Sequence, residues 1–387
     1  MTFRSIVHII LLLFLVTASS LDSKLLAQEN EAYSPFPFRK ASLEFNGYFG
    51  SVFKHTKEFD SNIGGPTYSF ELGMVKNCFG NKPWEKALNY PSIGASFIFT
   101  RFGNNQTFGN AYAAMPHISF YVYRSTRFTA YLRFGLGFAY LSKKYDYVEN
   151  PDNNAIGSKL NAVAQFKLGM DWRFSDRFQL SAGLGLVHYS NANVQKPNLG
   201  LNLLSANIGL KYDLFEYADF DPKRSRKLEK PDERNGIMIK FSLAIRELHT
   251  TGGPKYPIYI TTLQYSYLTS KVNRILAGFI YSVDHGIWEE LKDRQIGEET
   301  NQKTQATEFS LYVGDEILVG KVGLYGLLGV YMLKPRFSSA PIFTKWGVNY
   351  YVYSLPSKDS ISFFLGLSVK THYFVAQYLE TSVGVTF

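Results

Sequence analysis

Cysteine is nearly absent from this chain. Cys78 is the single one among 387 residues. With one thiol, neither an intramolecular disulfide nor a cysteine-based metal cage can form. No cysteine follows the N-terminal apolar segment, so no lipoprotein anchor is expected. The sequence carries no His-Glu-x-x-His pair, phosphate loop or dinucleotide fingerprint, and therefore no metal and no cofactor is assigned. It also lacks a zinc-finger or RNA-recognition signature, so no nucleic-acid partner is expected. Long hydrophobic runs are missing as well. After the first twenty residues no apolar stretch reaches the roughly 18 residues that a membrane-spanning helix needs.

Aromatic residues and glycine, by contrast, are plentiful. The chain has 32 Phe, 27 Tyr and 31 Gly, yet its mean hydropathy is only −0.12. An average of that kind fits strands with one apolar and one polar face better than it fits a helical membrane protein. The formal net charge of +9 suits basic loops facing anionic lipid heads as well as it suits a solvated surface.

Residues 1–20 read as a signal peptide. Arg4 supplies the positive end, residues 6–16 a short apolar core, and Ala18-Ser19-Ser20 a small-residue cleavage site, with Ala27 as a later candidate. From about residue 40 the pattern has period two. Phe128, Ala130, Leu132, Phe134, Leu136 and Phe138 alternate with Thr129, Tyr131, Arg133, Gly135 and Gly137. Segments 164–173 and 237–246 alternate in the same way, with Lys167, Asp171, Arg173, Lys240 and Arg246 on the polar side. Apolar outside with charge or glycine inside is the alternation of a membrane barrel. The fold class is therefore all-β: an antiparallel transmembrane outer-membrane β-barrel of about 14–16 strands over residues 21–387. Residues 40–215 hold a first set of strands and 236–387 a second. The charged stretch 216–235 reads as a linker between them. The sequence leaves open whether one ring closes around all strands or eight close alone.

The most informative stretch is a strand, a bend and a second strand. It runs Gly183-Leu184-Gly185-Leu186-Val187-His188-Tyr189-Ser190-Asn191, then Pro197-Asn198-Leu199-Gly200-Leu201-Asn202. Alternation puts His188 and Ser190 on the face of Leu184 and Leu186, and Asn202 on the face of Leu204 and Ile208. A polar trio on the lipid side needs a reason, because unpaired polar groups there are costly. A serine hydroxyl becomes a nucleophile when a base lies within reach, and the base needs a third group to fix its tautomer. Ser190, His188 and Asn202 are the candidates for those three roles. The bend, through Asn191, Asn198 and Gly200, is the candidate for stabilising an oxyanion.

The pattern His188-Tyr189-Ser190-Asn191-Ala192 followed by Pro197-Asn198-Leu199-Gly200 resembles the signature of the outer-membrane lipid A 3-O-deacylases, the PagL family. The likeness is strongest over residues 179–215, and the length of the chain resembles the longer Bacteroidetes-type acyloxyacyl hydrolases. The resemblance implies serine-type hydrolysis of an ester-linked acyl chain, with lipid A (lipopolysaccharide) of the bacterial outer membrane as the partner and no metal. Two positions depart from the family pattern. Asn202 stands where the family has Glu, and Leu199 stands where its bend has Pro. Glu380, which shares a face with His372 near the last bend, is an alternative acid, but on the inner face. The other function class is a non-enzymatic barrel, a pore or structural protein, suggested by the missing carboxylate and the charged inner faces. The final strand, ending in Phe387, resembles the terminal signal read by the barrel-assembly machinery. A faint echo of 183–188 at Gly366-Leu367-Ser368-Val369-Lys370-Thr371-His372 raises the possibility of an internal duplication.

Overall fold

The protein is described by a computed structural model over residues 41–80, 82–214, 234–248, 251–338, 340–354, 361–373 and 375–387. The expected signal peptide and all of the linker before Arg234 lie outside these residues. Sixteen strands occur among the described residues, and they close as two rings of eight. The first barrel comprises β1 (Ala41–Val52), β2 (Thr67–Asn77), β3 (Ser92–Arg101), β4 (Asn110–Arg124), β5 (Phe128–Leu141), β6 (Leu160–Arg173), β7 (Phe178–Ser190) and β8 (Leu201–Asp213). The second comprises β9 (Asn235–Glu247), β10 (Lys255–Ser270), β11 (Asn273–Asp284), β12 (Thr307–Val319), β13 (Val322–Leu333), β14 (Ile342–Ser354), β15 (Ser362–His372) and β16 (Val375–Thr386). Each strand pairs antiparallel with its sequence neighbour. The rings close where β1 meets β8, with Phe45 opposite Leu210, and where β9 meets β16, with Phe241 opposite Val383. Closure leaves no unpaired edge, the condition for a sheet to cross hydrocarbon. Among the described residues three short helices lie in the connections: α1 (Pro83–Ala87) between β2 and β3, and α2 (His285–Asp293) and α3 (Glu299–Gln305) between β11 and β12. No helix among the described residues is long and apolar enough to cross a membrane.

The alternation read from the sequence is the alternation of exposure. On β1, Leu43, Phe45 and Phe49 face outward while Glu44, Asn46 and Tyr48 are buried in the lumen. The first lumen is filled rather than open. Arg133, 1% exposed, reaches Glu44 at 2.7 Å and Glu71 at 3.3 Å. Lys211 bridges Glu44 and Asp171 at 3.4 Å each, and Arg173 pairs with Asp213 at 2.7 Å. The second lumen is crossed in the same manner by Lys370–Glu308 at 2.6 Å and Arg274–Glu316 at 2.7 Å. Interiors of this kind pair each buried charge because an unpaired one is costly to desolvate.

At the end of the first barrel opposite residues 41 and 213, the lumen turns apolar. Phe59, Phe102, Phe108, Met115, Leu141 and Tyr189 belong to one buried cluster there. That cluster backs the β7–β8 bend. The two barrels touch at both rims. At one rim α1 meets β12, and Trp84 lies against Gly320. At the other, the β7–β8 bend meets β9 and β16.

Seventh in its own ring, as β7 is in the first, β15 invites comparison at the suggested echo. His188 lies on the outer face of β7, whereas His372 is buried on the inner face of β15. His188 lies five positions after Gly183 and His372 six positions after Gly366, and one extra residue reverses the face of a strand side chain.

Replacing Arg133 by Met leaves Glu44 and Glu71 buried without their shared cation, an expected loss of about 3–5 kcal/mol. A urea titration of the full chain in micelles checks this. Adding Glu71→Gln to Arg133→Met is expected to recover part of the lost stability.

Candidate active site

His188 and Ser190 are the last outward positions of β7, and Asn202 is the first outward position of β8. Register makes His188 and Asn202 direct cross-strand partners. Cβ atoms of such partners are about 5 Å apart, close enough for a ring and an amide to meet. They do meet: His188 Nδ1 lies 2.7 Å from Asn202 Oδ1. An amide oxygen only accepts, so the imidazole carries its proton on Nδ1 and leaves a lone pair on Nε2. Among the described residues neither His188 Nε2 nor the Ser190 hydroxyl has a hydrogen-bond partner. His188 is half-buried and Ser190 is buried at 7% exposure.

Tyr189, between them, points the other way. It is fully buried in the apolar cluster, where its hydroxyl shares a 3.1 Å hydrogen bond with Thr100 and its ring meets Phe102 edge-on at 5.7 Å. The tripeptide thus anchors itself inward through its middle residue and presents the flanking two outward. On the neighbouring strand β6, Ala164 stands opposite His188 and Ala162 opposite Ser190. Both facing side chains are small, so little bulk from β6 stands beside the hydroxyl.

The bend is tightly bonded. The Asn191 backbone N–H donates to Asn198 Oδ1 at 2.8 Å, and the Asn191 side chain donates to Ser158 Oγ and to the Gln195 carbonyl, each at 2.8 Å. The Gly200 N–H donates to the Ala155 carbonyl at 2.9 Å. The expected oxyanion donors therefore narrow. The N–H groups of Asn191 and Gly200 are already committed, while Asn198, held through its oxygen, keeps its side-chain NH2 without a partner among the described residues. Gly200 has φ +80°, and a Cβ there would come within 2.7 Å of His188 Cε1. Both the backbone conformation and the closeness of the imidazole demand glycine.

The second barrel grips the far side of this bend. Asn193 accepts from the Glu247 N–H at 3.0 Å and donates to the Ala376 carbonyl at 2.6 Å, and the Lys196 N–H donates to the Glu247 carboxylate. Beside this contact the mouth of the second barrel holds a polar cavity of about 110 Å³, lined in part by Asn193, Lys196, Arg246 and Lys370.

Sequence reasoning missed two clusters. The first is His55, from the connection after β1, whose Nδ1 lies 2.8 Å from Asn202 Nδ2. The second is buried in the first lumen. Ser96 Oγ lies 2.6 Å from Glu71 Oε1 and 3.0 Å from His117 Nε2, and Glu44, Glu71 and His117 hold their ligand atoms within 4.8 Å of one another. Arg133 takes an oxygen from each carboxylate, and all of these side chains are at most 6% exposed. The cluster is a bonded part of the lumen filling, out of reach of a lipid. Glu380 is fully buried beside Lys345 in the second lumen, which removes it as the acid for Ser190. Cys78 is 3% exposed, and burial pushes its thiol up to about 12, so it is not a nucleophile.

Gly200→Ala is expected to cost about 1–2 kcal/mol from its left-handed backbone alone and to displace the His188 ring. Urea unfolding and the 15N NMR signals of the ring nitrogens measure the two effects separately.

Residues 68–211 match the family model for lipid A 3-O-deacylase (PagL), and residues 236–387 match that for the acyloxyacyl hydrolase C-terminal domain. No curated protein matches the chain. Among solved structures, the outer membrane enzyme PagL is similar at 17% identity, covering 43% of this chain and 97% of its own, with TM-score 0.32. Neisserial surface protein A is similar at 11% identity, covering 45% of this chain and 97% of its own, with TM-score 0.31. The N-terminal barrel domain of Pseudomonas aeruginosa OprF is similar at 10% identity, covering 44% and 97%, with TM-score 0.27. The two family matches fall one on each barrel: the chain belongs to the lipid A 3-O-deacylase and acyloxyacyl hydrolase family of the bacterial outer membrane.

Proposed function

We propose that this chain removes an ester-linked acyl chain from lipid A, with Ser190 as nucleophile, His188 as general base and then acid, and Asn202 as the group that orients His188. The observation that carries this reading is the Nδ1–H···Oδ1 bond between His188 and Asn202 on the outer wall. It leaves a basic Nε2 on the face where Ser190 stands. In the first half-reaction Nε2 takes the Ser190 proton while Oγ adds to the ester carbonyl. The Asn198 side-chain NH2 donates to the resulting oxyanion. Collapse breaks the carbonyl–alkoxy bond, and the sugar oxygen leaves with the proton from His188. Water then attacks the acyl-serine, again giving its proton to Nε2. The fatty acid departs and Ser190 Oγ recovers a proton. The small side chains of Ala162 and Ala164 suit an acyl chain lying against the barrel wall, where the ester sits at the boundary between hydrocarbon and head group.

Asn202 in place of a carboxylate favours one competing reading, a barrel of this family without activity. A neutral amide stabilises the imidazolium less than a carboxylate does. The pore version of that reading is opposed by the charged side chains that fill both lumens. Mass spectrometry of lipid A from a host producing the full chain, Ser190→Ala or His188→Ala decides between them. The wild type is expected to lower the acyl count, and each variant to lose activity by about 10³-fold or more. Unchanged lipid A in all three, with heat-modifiable folded barrel in the membrane, would reject the enzymatic reading.

We further infer that the barrel-assembly machinery recognises β16. Phe387 supports this, because it ends the strand with its ring half-exposed and exchanges two backbone hydrogen bonds with Ile237. Deleting Phe387 is expected to reduce folded protein in the outer membrane, read from heat modifiability in membrane fractions.

A further inference from the structure

An asparagine in the orienting position creates a problem that a carboxylate does not have. A carboxylate accepts through both oxygens, so it serves a histidine whichever way it turns. A carboxamide has nearly the same shape with its oxygen and nitrogen exchanged. With Oδ1 toward His188, the imidazole carries its proton on Nδ1 and Nε2 is basic. With Nδ2 toward His188, Nδ1 must accept, the proton moves to Nε2, and the ring can no longer take a proton from Ser190. Something has to choose between the two orientations.

The group on the other side of the amide is His55. Asn202 Nδ2 lies 2.8 Å from His55 Nδ1, so the amide donates there to an imidazole lone pair. His55 is exposed, and its neighbours and its ring tie this stretch to β8 and to the apolar cluster. The Phe53 N–H donates to the Asn202 carbonyl at 2.9 Å. The His55 ring meets Phe59 edge-on at 6.3 Å, and Phe59 is 1% exposed within the apolar cluster behind the bend. Lys54 lies over the same Phe59 ring at 5.9 Å.

We infer that His55 is a positioning residue for the deacylation. Its Nδ1 lone pair holds the Asn202 amide with the oxygen toward His188, and thereby sets the tautomer in which His188 is a base. The inference rests on the roles given above to His188 and Ser190. It accounts for how an amide fills a carboxylate's place: the pair Asn202 and His55 fixes an orientation that a carboxylate has by symmetry. When His188 becomes an imidazolium, its Nδ1–H bond to Oδ1 strengthens, and the amide N–H bond to His55 strengthens with it.

The test replaces His55 in two backgrounds, with purified full-length protein acting on lipid A in mixed micelles. His55→Lys puts a donor without an acceptor against the amide and favours the reversed orientation. Its kcat is expected to fall by about tenfold or more with KM little changed. His55→Gln offers a carbonyl lone pair and is expected to stay within about threefold of wild type. In an Asn202→Asp background the carboxylate accepts from both sides, so His55→Lys is expected to cost less than about twofold there. A merely structural role for His55 predicts the same loss in both backgrounds and no rescue by Gln. His55→Lys at wild-type kcat, with Ser190→Ala inactive, overturns this inference alone. Wild-type protein no more active than Ser190→Ala overturns the assignment of Ser190, and this inference with it.

Discussion

Backbone amides facing hydrocarbon have no water to turn to, so every strand of this chain must find a strand on each side. The chain meets that condition twice, in rings of eight. An eight-stranded ring is narrow enough for its own side chains to fill. The filling differs along the axis of the first barrel. Around Arg133 it is a set of matched charges, and under the β7–β8 bend it is an apolar plug containing Phe59, Phe102 and Tyr189. The plug turns one end of a membrane cylinder into a firm base for chemistry on its outer wall.

That base explains the tripeptide. Period two sends Tyr189 inward and His188 and Ser190 outward, so the residue that packs and the residues proposed to react alternate. Gly200 then permits the returning chain to pass close to the imidazole, and β8 begins with Asn202 directly opposite His188. Side chains mounted on paired strands inherit the precision of the sheet, whereas those on free loops would not.

How much of this could be read from sequence depends on range. A count of about 14–16 strands, their inner and outer faces, and the outward placement of His188, Ser190 and Asn202 all follow from local alternation, and the structure has sixteen strands with these residues on the outward positions. Ring membership does not follow. An alternating strand states which side faces lipid, not whether Leu210 will lie beside Phe45 or beside a strand of the second half. The bonding of the bend was equally illegible, since the commitment of the Asn191 and Gly200 amides depends on Asn198 and Ala155 meeting them in space. His55 gave no signal at all. It sits in an exposed connection 147 residues from Asn202, and a lone histidine between Lys54 and Thr56 looks like ordinary surface.

The grip of Glu247 and Ala376 on Asn193 and Lys196 reaches beyond the first barrel. The bend beside Ser190 is finished by a second cylinder that shares none of its strands. A fragment holding only the first ring would still satisfy its own backbone and sit in lipid, but it would carry this corner with one wall missing. The smallest unit that keeps every described contact of the bend is therefore the doublet, and a substitution at Glu247 in the second ring reaches the β7–β8 bend of the first.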